Sequence, residues 1–419
     1  MKIVVAMDSF KGCLSSREAG EAAAEGIRQV WPEAEIVVRP LADGGEGTVA
    51  ALTNGSAERV TVTGPLGEPV VCEYGIVGEQ LMTGSETSAD TGRLAGNISA
   101  GNAQGHLLAV IECSGACGLP LVPPERRNPM YTTTYGLGEV ILDAAAKGCR
   151  RFLIGLGGSA TNDGGAGMLQ TLGYRLTDAD GNKIARGAEG LKSLEKIELP
   201  AAEFARVELS AAEQASYKAI SLLSQCEFRV ACDVTNPLCG PLGCSAVFGP
   251  QKGARAADIP MMDEALRRYA EKVREVNPQA DPDTPGSGAA GGLGFAFRAV
   301  LGAELLPGSQ LVIEETNLES YIADADLIIT GEGRLDAQTA MGKAPAAVAA
   351  LAQTHGVPVI ALAGSVEAEE SILRKMGLTA WYGINDRTVY DLATAMQPEM
   401  ARRNMAETAE YAIRKMYVR

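Results

Sequence analysis

Four short segments combine glycine with a carboxylate: Asp8-Ser9-Phe10-Lys11-Gly12, Asp43-Gly44-Gly45-Glu46-Gly47-Thr48, GGSATNDGG at 157–165, and Gly331-Glu332-Gly333-Arg334-Leu335-Asp336. Small residues let backbone amides approach a ligand closely, and Asp or Glu oxygens suit a hard cation such as Mg2+. Phosphoryl transfer asks for these parts together. Amides cradle an anion, cations neutralise developing charge, and a carboxylate orients or deprotonates the nucleophile. A single glycine turn means little; several, each carrying an acid and each placed after an apolar run, form a pattern.

Each candidate has a plainer alternative at this stage. Asp8 closes the run KIVVAMD and reads as a catalytic or metal-binding carboxylate, or as the cap of a turn. Lys11 reads as a ligand for phosphate or a substrate carboxylate, or as a solvated lysine. Asp43 and Glu46 stand among Gly44, Gly45 and Gly47, with Thr48 following. That setting suits metal binding or general-base work, or a tight Asp-Gly bend. Gly158, Ser159, Thr161, Asn162, Asp163 and Gly164 offer hydroxyls, an amide and N–H groups for a phosphate or carboxylate clamp, although Asp163 could instead cap the helix beside it. Asp233 ends FRVACD and reads as a third acid, holding metal with Asp43, or as a structural partner of Asn236. Gly331, Glu332, Gly333, Arg334 and Asp336 follow ADLIIT; Arg334 either forks onto an anion or pairs with Glu332 or Asp336. Lys343, just before a helix, is a phosphate contact or a surface lysine. Ser9 belongs with Asp8.

Standard nucleotide motifs are missing. There is no G-x-x-x-x-G-K-[S/T] loop, and no G-x-G-x-x-G lies between a first strand and its helix. His106 and His355 stand alone, and nine scattered cysteines form no zinc spacing, so reduced structural thiols are expected. The formal charge is −15 over 419 residues. So acidic a surface argues against nucleic acid, and an anionic substrate must be caught locally by metal, Lys/Arg or oriented amides. No signal peptide and no 18-residue apolar run is visible, so a cytoplasmic protein without a membrane partner is expected. The sequence leaves the oligomeric state open, a homodimer included.

The elements that must position these residues read as follows. A buried strand at 2–8, a helix at 15–30 capped by Ser15 or Ser16 with Glu18 in its first turn, and a strand at 35–41 make a β-α-β unit. From 58 the texture turns to hairpins. Strands follow at 106–112, 151–156 and 228–233, with helices at 133–147, from 164, at 201–224 and at 258–276, and a polar hairpin at 177–186. Past the glycines of 286–294, strands at 325–330, 357–362 and 380–384 and a helix at 344–355 restore parallel character. The fold class is therefore α/β with two domains: a discontinuous Rossmann-like, three-layer parallel-sheet domain (1–60 and 290–419) and an inserted mixed-sheet α/β domain (61–289).

DSFKG, LADGGEGT, TTTYGLGEVI, GLGGSATNDGGAGMLQTLG, ACDVTNPLCGP, FGPQKGA, GAAGGLG and TGEGRLDAQTAMGKAP resemble the signature segments of the bacterial glycerate kinase family, over essentially the whole chain. The resemblance implies a two-domain α/β enzyme with its active site in the interdomain cleft. It further implies ATP and Mg2+ as cofactors and phosphorylation of D-glycerate, with 2-phosphoglycerate favoured. Three departures bear on substrate preference: Cys13 where a serine is expected after DSFKG, TAMGK where a His often follows Gln338, and a loose IECSGACGL at 111–119. Two other readings remain, a phosphatase or isomerase of phosphorylated sugar acids and a non-catalytic nucleotide-binding regulator. Phosphate release without ATP would select the first, and Mg-ATP binding without chemistry the second.

Overall fold

KIVVAM forms β1 (Lys2–Met7), with Ile3 to Met7 wholly inaccessible to solvent. A continuous run of β-branched and apolar residues suits a strand covered on both faces. The following helix, Ser16–Arg28, starts at a capping box. Ser15 Oγ accepts from the Glu18 amide at 3.2 Å, and the Glu18 carboxylate accepts from the Ser15 amide at 2.8 Å. The chain then enters β2 (Glu35–Pro40), parallel to β1. The computed structural model describes residues 1–53, 55–78, 107–199, 220–385 and 391–417.

Ser56–Leu306 is one compact unit. β3 (Glu58–Thr63) and β4 (Pro69–Val77) make an antiparallel hairpin, closed where the Gly64 amide donates to the Glu68 carbonyl at 2.7 Å. Parallel β5 (Leu108–Glu112) and β6 (Arg151–Gly155) follow, and β7 (Arg175–Thr177) pairs antiparallel with β8 (Lys196–Glu198) in a small separate ribbon. β9 (Glu227–Ala231) and β10 (Glu304–Leu306) complete a six-stranded mixed sheet in the order β10-β9-β6-β5-β4-β3. Helices Tyr135–Ala146 and Ile259–Val276 contribute to its core, where Phe228 lies between Phe152 and Phe297 at 4.9 and 6.0 Å between ring centres.

Met1–Gly55 and Pro307–Arg419 form the other unit. β11 (Leu327–Leu335), β12 (Val359–Val366) and β13 (Ala380–Gly383) join β1 and β2 in an all-parallel sheet ordered β13-β12-β11-β1-β2. Helix Ala344–His355 packs on one face; Ser16–Arg28 and Pro398–Tyr417 pack on the other, giving three layers. The last two helices approach so closely that a Cβ on Gly26 would lie 1.9 Å from the Ala406 carbonyl oxygen. Only glycine fits there.

Several expectations are corrected. The first unit resumes at 307 rather than 290, because Leu293–Ala299 fills the mixed-sheet core and β10 pairs with β9. Gly331–Leu335, expected as a loop after a strand, continues β11 itself, since Glu332 and Arg334 stay in register with Ala363 and Ser365 of β12. The helix expected from 164 begins at Ala166, because Gly164 and Gly165 hold φ of 63° and 79°. Pro398–Tyr417, 20 residues long, carries no expectation from the sequence; its buried stripe includes Asn404 and Thr408, which blunt the apolar period. Of the helix expected at 201–224, residues 201–219 lie outside the described residues.

Candidate active site

In the parallel sheet the strand order reverses between β1 and β11, the position where open α/β sheets build ligand sites at their carboxyl ends. A cavity of about 370 Å³ opens there, and every residue lining it belongs to the Met1–Gly55/Pro307–Arg419 unit. Asp8, Ser9, Lys11, Asp43, Glu332, Gly333, Arg334 and Lys343 face it.

Asp8 is the residue that β1 delivers to this edge. Its amide donates to the Gly331 carbonyl at 2.9 Å, continuing the ladder to β11. Its carboxylate accepts from the Ser9 amide at 2.6 Å and is 5% exposed. Burial, and next the negative charge of Asp43, push the Asp8 carboxyl up to about 7, against the pull of the Ser9 amide and Lys11. A carboxyl poised near neutrality beside a cleft suits a general base.

Asp43 sits in the bend after β2. Its carboxylate accepts from the Gly45 amide at 3.0 Å and lies 3.8 Å from Lys11 Nζ. The bend is pressed against the start of helix Gly308–Glu315, where a Cβ on Gly308 would come within 1.8 Å of the Asp43 carbonyl oxygen. Thr48 Oγ1 donates to the Gly45 carbonyl at 2.7 Å, so Thr48 shapes the bend rather than facing the cavity. Glu46 and Gly47, with Ser9 and Lys11, line a smaller neighbouring hollow; Gly44 supplies the bend's positive φ of 83°.

On β11, Glu332 accepts from Thr339 Oγ1 at 2.5 Å and stands 4.0 Å from Lys343 Nζ. Burial raises its pKa, while Thr339 and Lys343 lower it. Lys343 is the N-cap residue of helix Ala344–His355, so its ammonium and the helix's positive end share one locality. Arg334 is exposed and reaches Glu367 at 3.5 Å. Asp336 is a turn former: it accepts from the Gln338 and Thr339 amides at 2.8 and 3.2 Å.

Ser159, Thr161, Asn162 and Asp163 belong to the other unit, beyond β6, and are buried. Asp163 accepts from the Thr134 amide and hydroxyl at 2.9 and 3.0 Å and from the Gly165 and Gly167 amides at 3.1 and 3.3 Å. It ties the loop to helix Tyr135–Ala146 and to the helix it opens. Asn162 Nδ2 donates to Ser245 Oγ at 2.9 Å. Lys252, which the sequence reading passed over within FGPQKGA, is 4% exposed and donates to Ser159 Oγ at 2.9 Å and to the Thr161 carbonyl at 2.7 Å; burial lowers its pKa. Gly158 at the tip is exposed, with φ of 68°, and the Gly164 amide donates to the Gly291 carbonyl at 3.0 Å. Most of this segment's side chains thus hold the loop. Asp233 is exposed just past β9 in the same unit and does not line the cavity described above.

Sequence reasoning also missed Thr339, whose hydroxyl orients Glu332, and Ser365, Ile384, Asn385 and Met396, which form the far wall of the cavity. No motif marks the wall, because strand order alone brings it there. Among the described residues no three His, Cys, Asp or Glu groups form a ready-made metal cage. The mutual repulsion of Asp8 and Asp43 is nevertheless what a divalent cation relieves, and Mg2+ is ordinarily held by one or two carboxylates together with phosphates and water. The residues fit such an ion.

The Glycerate kinase family model matches residues 3–417. The chain is 42% identical over 387 residues to "Glycerate 2-kinase" of Escherichia coli (strain K12), covering 92% of this chain and 90% of that protein. It is 43% identical over 387 residues to "Glycerate kinase" of Bacillus subtilis (strain 168), again covering 92% and 90%. A crystal structure assigned to glycerate kinase 2 of Salmonella typhimurium LT2 aligns with a TM-score of 0.81 at 42% identity, over 99% of this chain and 98% of that one. Among the described residues no helix is long and apolar enough to cross a membrane.

Proposed function

The chain belongs to the glycerate kinase family, and on that premise we propose that it transfers the γ-phosphate of ATP to a hydroxyl of D-glycerate in the cytoplasm, with 2-phosphoglycerate as the favoured product. The observation that carries the reading is Asp8: a buried carboxyl whose pKa stands at about 7, at the strand-order reversal, in a cavity that also holds Lys11 and Lys343.

In the proposed reaction the glycerate hydroxyl gives its proton to the Asp8 carboxylate as its oxygen bonds to the γ-phosphorus. The bond from that phosphorus to the β–γ bridging oxygen breaks, and ADP leaves. Lys11 and Lys343 offset charge on the phosphate oxygens, and Lys343 does so beside a helix N-terminus. Arg334 extends the same cationic rim. Asp43 would hold Mg2+, which when bound would supply positive charge to offset that of the nucleotide phosphates. The Gly157–Gly158 turn that leads into the Ser159–Asp163 loop of the other unit, a loop held by Lys252, is assigned to anion binding through its backbone amides rather than through the loop's buried side chains.

Purified protein supplied with Mg-ATP and D-glycerate should release ADP in a coupled assay, and phosphorus NMR of the product should show the 2-phosphate. Folded protein with no turnover above background would remove this reading.

A further inference from the structure

The cavity has two ends of different chemistry. Asp43, Asp8 and Glu332 follow one another along the carboxyl edge of β2, β1 and β11, and the charged lining stops there. Across β12 and β13 the lining is uncharged and mostly apolar, with Ile384, Leu392, Ala395 and Met396 beside Ser365 and Asn385, and the Ser365 hydroxyl donates to Glu367 at 3.4 Å. Leu392 and Met396 are 70% and 38% exposed, large aliphatic side chains left toward solvent in a chain of net charge −15.

This wall is built, not frayed. Asp391 caps the turn Leu392–Ala395 by accepting from the Thr394 amide at 2.8 Å. The Met396 amide closes on the Leu392 carbonyl at 2.9 Å, and helix Pro398–Tyr417 starts two residues later. Ala395 is buried beneath. From β1 to β13 is three interstrand steps of about 4.8 Å, so about 14 Å in all. That matches the reach of an extended nucleoside triphosphate from terminal phosphorus to base.

We propose that this apolar end over β12 and β13 is the nucleoside-base subsite, and that it holds the base by packing rather than by reading its edge. The proposal rests on the kinase reading above and fixes the direction in which the nucleotide lies: base over β13, terminal phosphate at Asp8. The one side-chain amide at this end, Asn385, is committed to the protein. Its Nδ2 donates to the Gly364 carbonyl at 3.0 Å, and its Oδ1 accepts from Asn404 Nδ2 at 3.1 Å. Aliphatic walls discriminate weakly between bases, because no buried polar group is left unpaired by the wrong one. ATP and GTP should therefore bind within about tenfold of each other.

The test is the double variant Leu392→Ala/Met396→Ala, both positions exposed enough to leave the fold intact. Calorimetry compares ADP with inorganic tripolyphosphate, which has phosphates but no base. The variant should lose roughly tenfold in ADP affinity, in line with apolar contact removed from two aliphatic side chains, while tripolyphosphate affinity and the KM for D-glycerate stay unchanged. Equal losses for ADP and tripolyphosphate would overturn the proposal, as would no loss for either, or wild-type protein binding ADP no better than tripolyphosphate. If ADP shows the base-specific loss but wild-type protein does not phosphorylate glycerate, the subsite stands and the acceptor assignment falls. If turnover is normal and ADP binding is unmoved, the reverse holds.

Discussion

Replacing Asp8 by Asn should make the apo protein more stable above neutral pH and leave it inactive. An unfolded aspartate titrates near 3.8, and Asp8 in the fold near 7. The native state therefore holds this proton more tightly than the unfolded chain does. The associated stability is fully present below the unfolded value and is lost as pH rises through about 7. The difference of roughly three pH units corresponds to about 4 kcal/mol. Local relaxation and water entry reduce the working figure to about 2–4 kcal/mol. Asn is close in shape to the protonated acid and still accepts from the Ser9 amide, so it removes the ionisation cost without opening a cavity. In EDTA, thermal melts at pH 8.5 should place the variant above wild type by roughly 5–10 °C. Below the unfolded value of 3.8, where Asp8 is protonated in both the folded and the unfolded chain, the two should coincide. Wild-type kcat/KM should rise with pH up to about 7 and then level, and the variant's kcat should be lower by 10²-fold or more. A variant equally or less stable at pH 8.5, or one retaining near-normal kcat, would refute the electrostatic picture of Asp8.

Three further outcomes follow from the same geometry. Lys343→Ala should raise the KM for ATP roughly tenfold or more, the value of one charge-assisted contact, with little change in melting temperature because its Glu332 pairing is long at 4.0 Å; steady-state kinetics with varied ATP read this. Gly308→Ala should cost about 1–3 kcal/mol in urea unfolding and depress activity, since its Cβ would overlap the Asp43 carbonyl and shift the bend that carries the carboxylate. Asp163→Asn should destabilise by about 1–3 kcal/mol or more, because an NH2 group would face amides that now donate to both carboxylate oxygens; a normal denaturation midpoint would show that those bonds are dispensable.

Much of this protein is written locally in the chain. The β-branched run Lys2–Met7 dictates a doubly covered strand, and Ser15 with Glu18 dictates where the next helix begins. Asp8, Lys11, Asp43, Glu332 and Lys343 could be named in advance because the chemistry needs a carboxylate, a cation and a glycine in one short stretch, and those stretches are contiguous. Tertiary structure decided what depends on residues far apart. Gly331–Leu335 is composed like a loop, yet becomes strand because β12 offers it partners in register. The elevated pKa of Asp8 needs its burial and then Asp43 from another strand end, and no local pattern encodes either. Lys252 looks like any surface lysine until Ser159 and the Thr161 carbonyl are found closing over its ammonium. The apolar wall of Ile384, Leu392 and Met396 exists only because β13 lies two strands from β11. Composition and period fix which segments become strands or helices, since those depend on neighbours a few residues away. Which carboxylates, cations and apolar side chains share one cavity depends on strand order, and strand order is settled by burial across the whole sheet.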